Sequence, residues 1–345
     1  MTILVTGGAG YIGSHNVLEL LKNGLDVVIF DNLNTGHRKI AEILASLNYK
    51  GKVVDFIKGD LKSKEEISNV FQKHKINAVM HFASYSVVEE SVYNPQKYYN
   101  NNVVGSINLF NTMLENNVKH LIFSSTASTY GMPLYSPIDE KHPQNPINPY
   151  GKTKLIAEKI LDDYDKAFGL KSIRLRYFNV TGANSEQLIG EVHTPETHLI
   201  PNIIKSALHE DKTFYLFGND YETKDGTCIR DFINVEDLAH AHLLALKYLQ
   251  ENNETNFFNI GTKEGSSVQE VFDTCEKILK KKIKIEIKEK RAGDPPVLVS
   301  DNQKAQELLG WVPEKTLAES IKSVYEWEKK LNFKESNNKV IKLNV

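Results

Sequence analysis

The chain has 345 residues, 41% hydrophobic and 25% charged, which is the composition of a globular protein long enough for one large or two smaller domains. A net charge of −2 excludes a bulk electrostatic pull toward nucleic acid or anionic lipid, and no apolar run reaches membrane length. Two cysteines, Cys228 and Cys275, exclude a disulfide framework; no CxxC or Cys/His cluster suggests a metal, no signal peptide is expected, and a reducing cytoplasm is the default compartment.

The apolar run Ile3-Leu4-Val5 predicts a strand that feeds Gly7-Gly8-Ala9-Gly10-Tyr11-Ile12-Gly13. An apolar-periodic helix follows through Ile12, Val17, Leu18, Leu20 and Leu21. Glycines in such a turn let the backbone approach a diphosphate closely, and the helix N-terminus supplies N–H donors and a favourable dipole. The next strand, residues 26–30, is closed by Asp31, at the spacing of a carboxylate that binds the two hydroxyls of an adenosine ribose and repels a 2′-phosphate. The pattern therefore points to NAD rather than NADP.

After a polar loop over residues 32–38, a strand is expected at 53–57, ending in Gly59-Asp60-Leu61, and a helix at 64–74. A strand at 78–82 ends in Ala83-Ser84. One long helix is expected over 95–116, then a strand at 120–124. Pro146 and Pro149 stop the chain before a helix at 150–168, and a strand follows at 172–177. Such alternation predicts an α/β fold with a doubly wound parallel (Rossmann) sheet.

Beyond Asn179 the pattern loosens. Residues 185–201 and 219–230 read as long polar loops, with short helices at 199–208, 235–249 and 268–279. The lysines around 280–290 alternate with Ile283, Ile285 and Ile287 and read as one solvated strand face. Residues 1–180 are expected to form the dinucleotide-binding domain, to which the chain returns near 230–260. Residues 181–335 form mainly a smaller mixed α/β substrate-binding region, and 336–345 a frayed tail.

Tyr150 and Lys154 stand four residues apart, which places both on one helix face. Thr126 follows a core strand, at the sheet edge where open α/β folds bind ligands. A phenol, an ammonium and a hydroxyl together suit removal of a proton from a secondary alcohol during hydride transfer. A free phenol, with a pKa of about 10, is a poor base, and a neighbouring lysine and a positive nicotinamide favour its ionised form.

With these motifs the chain resembles the extended short-chain dehydrogenase/reductase family, and within it the UDP-hexose 4-epimerases, over about residues 2–330. The resemblance rests on the blocks at 6–14, 31–33, 81–83, 98–102, 148–154 and 176–179, and downstream on 217–221, 225–227, 230–232 and 291–294. It implies NAD held by Gly7, Gly10, Tyr11, Ile12, Gly13, Asp31, Asn32, Asp60, Leu61, Phe82, Ala83, Asn101, Lys154 and Phe178. Thr126 and Tyr150 would carry the proton relay. Asn179, His198, Leu199, Phe217, Arg230, Arg291, Asp294 and Leu298 would hold the UDP-sugar, the two arginines on its diphosphate. A homodimer is implied, built on the helices near 95–116 and after Tyr150.

Four positions depart from familiar members. Ser86 replaces a lysine, His198 an asparagine, Thr126 a serine and Leu298 a tyrosine that flanks the sugar 2-substituent. Leucine leaves more room, so N-acetylated UDP-sugars are expected to be accepted beside UDP-glucose and UDP-galactose. The rival chemistries are a 4,6-dehydratase, a UDP-glucuronate epimerase or decarboxylase, and a non-catalytic NAD-sensing protein. Ala127-Ser128 after Thr126 lacks the acid–base pair that dehydration needs.

Overall fold

The computed structural model describes residues 1–209, 211–290 and 294–336. Arg291 and the tail at 337–345 lie outside the described residues. The first half runs β1 (Thr2–Thr6), α1 (Tyr11–Lys22), β2 (Asp26–Asp31), α2 (Arg38–Ser46), β3 (Val53–Lys58), α3 (Lys64–Lys73), β4 (Ala78–His81), α4 (Val88–Tyr93) and α5 (Pro95–Tyr98). After a π-helical stretch (Tyr99–Val104) come α6 (Gly105–Glu115), β5 (His120–Thr126), α7 (Pro149–Phe168) and β6 (Lys171–Tyr177). The rest comprises β7 (Asn179–Thr181), α8 (Leu199–Leu208), β8 (Phe214–Phe217), β9 (Ile229–Asn234), α9 (Val235–Asn252), β10 (Asn256–Ile260) and β11 (Gly265–Ser267). The last elements are α10 (Val268–Leu279), β12 (Ile285–Lys288), β13 (Val297–Leu298), α11 (Gln303–Leu309) and α12 (Leu317–Ser336).

Seven strands form one parallel sheet in the order β10-β6-β5-β4-β1-β2-β3. Alternate side chains point to opposite faces of a strand. Ile3 and Val5 join Val27, Ile29 and Met80 in a core shared with α1, α2 and α9, while Leu4, Val28 and Val79 join a second core with α3, α6 and α7. Both faces are thus covered, as a parallel sheet requires. The strand order reverses between β1 and β4, so the carboxyl edge there opens into a crevice.

A four-stranded sheet of β11, β9, β13 and β7 and a pair of β12 with β8 lie outside this sheet. They share a third core with α8, α10 and α12, through Ile203, Phe214, Phe232, Phe272 and Ile321.

Three sequence readings need correction. The long helix expected over 95–116 is interrupted by the π-helical turn, which rotates Asn101 and Asn102 inward, both buried. Only Ile285–Lys288 of the lysine–isoleucine run is strand, exposed at every position, whereas Ile283 precedes it and is buried. The loop after β2 ends at α2, whose Ile40, Ala41 and Leu44 lie on one buried face.

Candidate active site

One cavity of about 1380 Å³ opens at the carboxyl edge of the large sheet. Gly7, Gly10, Tyr11, Ile12 and Gly13 form its floor. Gly7 has a φ of 73°, and a Cβ there would stand 2.6 Å from the Ala83 nitrogen; a Cβ on Gly13 would stand 2.1 Å from the Gly7 oxygen. The turn closes with Gly10 N–H donating to Gly7 O at 3.1 Å. No side chain caps α1, so its first-turn N–H groups face the cavity without a competing protein acceptor from the cap residue.

Asp31 accepts from Ala9 N–H at 3.0 Å and Leu33 N–H at 2.8 Å. Burial raises its pKa while these two donors act to lower it. Each carboxylate oxygen keeps a lone pair for a further donor. Asn32, Leu61, Phe82, Ala83, Asn101, Lys154 and Phe178 also line the cavity. Asp60 stands behind them, accepting from Asn32 Nδ2 at 3.2 Å and Lys62 N–H at 2.9 Å.

Thr126 ends β5, and Tyr150 sits in the first turn of α7; both are buried. Asn148 caps α7 by accepting from Gly151 N–H at 2.8 Å, and Pro149 occupies the first helical position. This sharp start fixes Tyr150 against the sheet edge. The Thr126 hydroxyl accepts from Ser128 N–H at 3.1 Å, leaving its own proton available to the Tyr150 phenol, whose ionised form it favours.

Lys154 is buried, donates to Ser124 O at 2.8 Å and lies 5.0 Å from the centre of the Phe123 ring. Burial pushes its pKa down to about 7, against the pull of Glu158. Burial pushes the Tyr150 phenol up to about 12, opposed by the Thr126 hydrogen bond. The lowering of the phenol expected from Lys154 is therefore not a property of the protein alone, because burial weakens the lysine charge as well as the phenolate.

One helical turn deeper is a polar network that the sequence reading passed over. Glu158 accepts from Arg176 through both carboxylate oxygens, with Nε at 3.0 Å from Oε1. Arg176 also donates to the Tyr130 hydroxyl at 3.0 Å, which donates to Asn259 Oδ1 at 2.7 Å. The network ties α7 to β6 and β10. The i, i+4 spacing of Lys154 and Glu158 on α7 was its only sequence signal.

The opposite wall carries Asn179, His198, Leu199, Phe217, Arg230, Asp294 and Leu298. Arg230 donates to Ile229 O at 2.9 Å and Pro295 O at 2.8 Å, and its second terminal nitrogen lies 3.6 Å from Asp294. Phe217 is partly exposed on β8. His198 sits between Glu191 and Glu196, which hold it protonated although burial opposes the charge. The sequence reading named His198 but not these partners, nor His193 beside them; the pattern Glu-x-His-x-x-Glu-x-His was the available signal.

Residues 4–324 match the sequence profile of the GDP-mannose 4,6 dehydratase family. The UDP-glucose 4-epimerase of Lactobacillus helveticus is 49% identical over 330 residues, 95% of this chain and 97% of that protein. Among solved structures, the UDP-glucose 4-epimerase of Bifidobacterium longum in complex with NAD+ and UDP is 37% identical, with a TM-score of 0.89 over 96% of this chain and 98% of that one. The UDP-Glc/GlcNAc 4-epimerase of Campylobacter jejuni is 43% identical, with a TM-score of 0.83 over 95% and 99%. With this sheet, this cavity and these relatives, the chain belongs to the UDP-glucose 4-epimerase family of extended short-chain dehydrogenases/reductases.

Proposed function

We infer that the protein interconverts UDP-glucose and UDP-galactose by inverting C4 of the hexose, with NAD as cofactor. The observation that carries this reading is the meeting of Thr126, Tyr150 and Lys154 with the glycine turn in one cavity whose far wall presents Phe217, Arg230 and Asp294. The residues fit the dinucleotide. The glycine turn keeps side chains clear of the backbone that a diphosphate would approach, α1 offers uncapped N–H groups, and the Asp31 carboxylate lines the same cavity and would accept from a ribose diol. Asn32, Asp60, Leu61, Phe82, Ala83, Asn101 and Phe178 would complete its binding.

Bound NAD supplies a reversible hydride acceptor for C4. Tyr150, with Thr126 as relay, takes the proton from the 4-hydroxyl and later returns it. Lys154 anchors the end of β5 at Ser124 and brings positive charge toward the phenol. Arg230 and Arg291 hold the diphosphate, Phe217 covers the uracil and Asp294 accepts from its ribose; Asn179, His198 and Leu199 flank them. These anchors act remotely from the sugar, so they hold the nucleotide equally with either hexose face turned inward. The keto sugar formed after the first transfer can then turn over and be reduced from its other side.

Dehydration is disfavoured. Thr126 is followed by Ala127 and Ser128 in a 3₁₀ turn, with no carboxyl group in the place of an acid–base pair. Leu298 lines the cavity and packs against the cluster of Ala127, Tyr130, Ile138 and Phe178; a leucine fills less room there than a tyrosine, which supports N-acetylated sugars as additional substrates.

Residues 1–180, with the returning segment near 230–260, would carry the cofactor, and 181–335 mainly the sugar nucleotide. The exposed apolar residues Val88, Val92, Tyr93, Val104 and Ile156 on α4, the π-helical turn and α7 support a homodimer through this face. Among the described residues no helix is long and apolar enough to cross a membrane, and a cytoplasmic location is supported by the two buried cysteines, Cys228 and Cys275, which are not joined in a disulfide.

Incubation with UDP-glucose, UDP-GlcNAc and UDP-glucuronate in turn, with chromatographic product analysis, tests the reading. UDP-galactose should form from the first and UDP-GalNAc from the second. Turnover of UDP-glucuronate alone would overturn it.

A further inference from the structure

The loop before α8 brings Glu191, His193, Glu196 and His198 together, each with one ligand-type atom within 4.8 Å of all the others. Two imidazole nitrogens converge on one carboxylate oxygen: His193 Nδ1 lies 2.8 Å and His198 Nδ1 2.5 Å from Glu191 Oε1. His198 Nδ1 is also 3.3 Å from Glu196 Oε1. Around a tetrahedral zinc, with bonds of about 2.0–2.2 Å, neighbouring ligand atoms stand roughly 3.3 Å apart; the His198–Glu196 pair already matches this, and the two pairs on Glu191, at hydrogen-bond distance without an ion, would open by about half an ångström or more to admit one.

The surroundings have the outer shell that such a site needs. Glu196 Oε1 accepts from Thr197 N–H at 2.8 Å and His198 N–H at 3.0 Å, while its other oxygen is 3.2 Å from Lys205 Nζ. The Trp327 indole donates to Glu191 O at 2.9 Å, fixing the buried end of the loop. The Tyr11 ring meets His193 edge to face, 6.5 Å between centres. His193, Glu196 and His198 line the large cavity, so an ion has both a route in and a face open to a further ligand.

We propose that Glu191, His193, Glu196 and His198 form a binding site for a divalent transition metal, best matched to Zn2+, at the wall of the cavity. Two imidazoles and two carboxylates suit zinc better than Mg2+ or Ca2+, which take all-oxygen shells. The proposal does not depend on which sugar is the substrate.

Isothermal titration of the purified, chelator-treated protein with Zn2+ alone should show one equivalent bound, and Mg2+ should show none. Co2+ in place of Zn2+ should give the intense visible absorption of a low-coordinate nitrogen–oxygen site. His193→Ala and His198→Ala should each abolish stoichiometric binding. Circular dichroism melting controls for folding, and His193→Gln is the milder companion because it leaves Glu191 paired with His198. Absence of stoichiometric binding to the wild type, or binding that survives in the correctly folded histidine variants, would overturn the proposal.

Discussion

The Lys154 ammonium, four residues after Tyr150 on α7, donates to the main-chain oxygen of Ser124 at 2.8 Å. Helix α7 is thereby bonded to the strand that ends in Thr126. Replacing Lys154 by methionine should loosen this junction and remove the buried charge together. Turnover of UDP-glucose should fall at least about 100-fold, the range of lost acid–base assistance. Steady-state kinetics with UDP-glucose measure it.

The same lysine predicts a pH dependence of stability. In the folded, cofactor-free protein it titrates at about 7, and unfolded near its ordinary value of 10.5. Between these values the unfolded chain binds the proton and the folded one does not, so stability rises with pH across the window, with a slope of up to about 1.4 kcal/mol per unit. Below pH 7 the full cost of burial is present. Lys154→Met should lack this slope and gain most, relative to wild type, at pH 6. Denaturant unfolding of cofactor-free protein at pH 6 and pH 9.5 is the measurement; equal differences at both values would refute the assignment.

Tyr150→Phe removes the phenolic oxygen while keeping the ring in its buried place. Activity should drop by about 1,000-fold or more, with NAD content of the purified protein unchanged. Loss of cofactor in this variant would mean that Tyr150 supports binding rather than proton transfer.

Glu158→Gln leaves Arg176 buried without its carboxylate. Breaking such a pair on one side costs about 3–5 kcal/mol. Removing both charges in Glu158→Gln/Arg176→Met should cost less than the sum of the single changes. Equilibrium unfolding of the double-mutant cycle reads the coupling.

Leu298→Tyr should fill the space beside the sugar. The ratio of kcat/KM for UDP-GlcNAc over UDP-glucose should fall at least about tenfold, the scale of a steric clash worth 1.4 kcal/mol. If the wild-type protein uses UDP-GlcNAc no better than the variant does, the leucine is not what sets sugar choice.

The half of the molecule built on short-range patterns was legible before the structure. Val27 and Ile29 alternate in β2, the glycines of residues 7–13 sit between a strand and a helix, and Asn148-Pro149 announces α7. These signals lie within a few residues of the element they specify. The four-stranded sheet was not legible, because β9 pairs with two-residue β13 and three-residue β7 and β11, and distant pairing rather than local preference makes such strands; of the β8–β12 pair only β12 showed in its alternating lysines and isoleucines. The π-helical turn was hidden for a related reason: Tyr99–Val104 carries no local mark of a wider winding, which goes with the inward hydrogen bonds of Asn102 to the distant Tyr85 and Thr153. Arg176 looked like part of a strand motif; its partner Glu158 lies 18 residues earlier, across a helix.

The place of β10 has a last consequence. This strand, encoded after Asn179, His198, Leu199, Phe217 and Arg230 of the cavity wall, seals the outer flank of β6, and α9 before it packs across α1. A fragment ending near residue 180 would therefore emerge from the ribosome with a bare sheet margin and an uncovered apolar face. The finished seven-stranded half must await roughly the final third of synthesis, and no simple cut yields it as a free-standing piece.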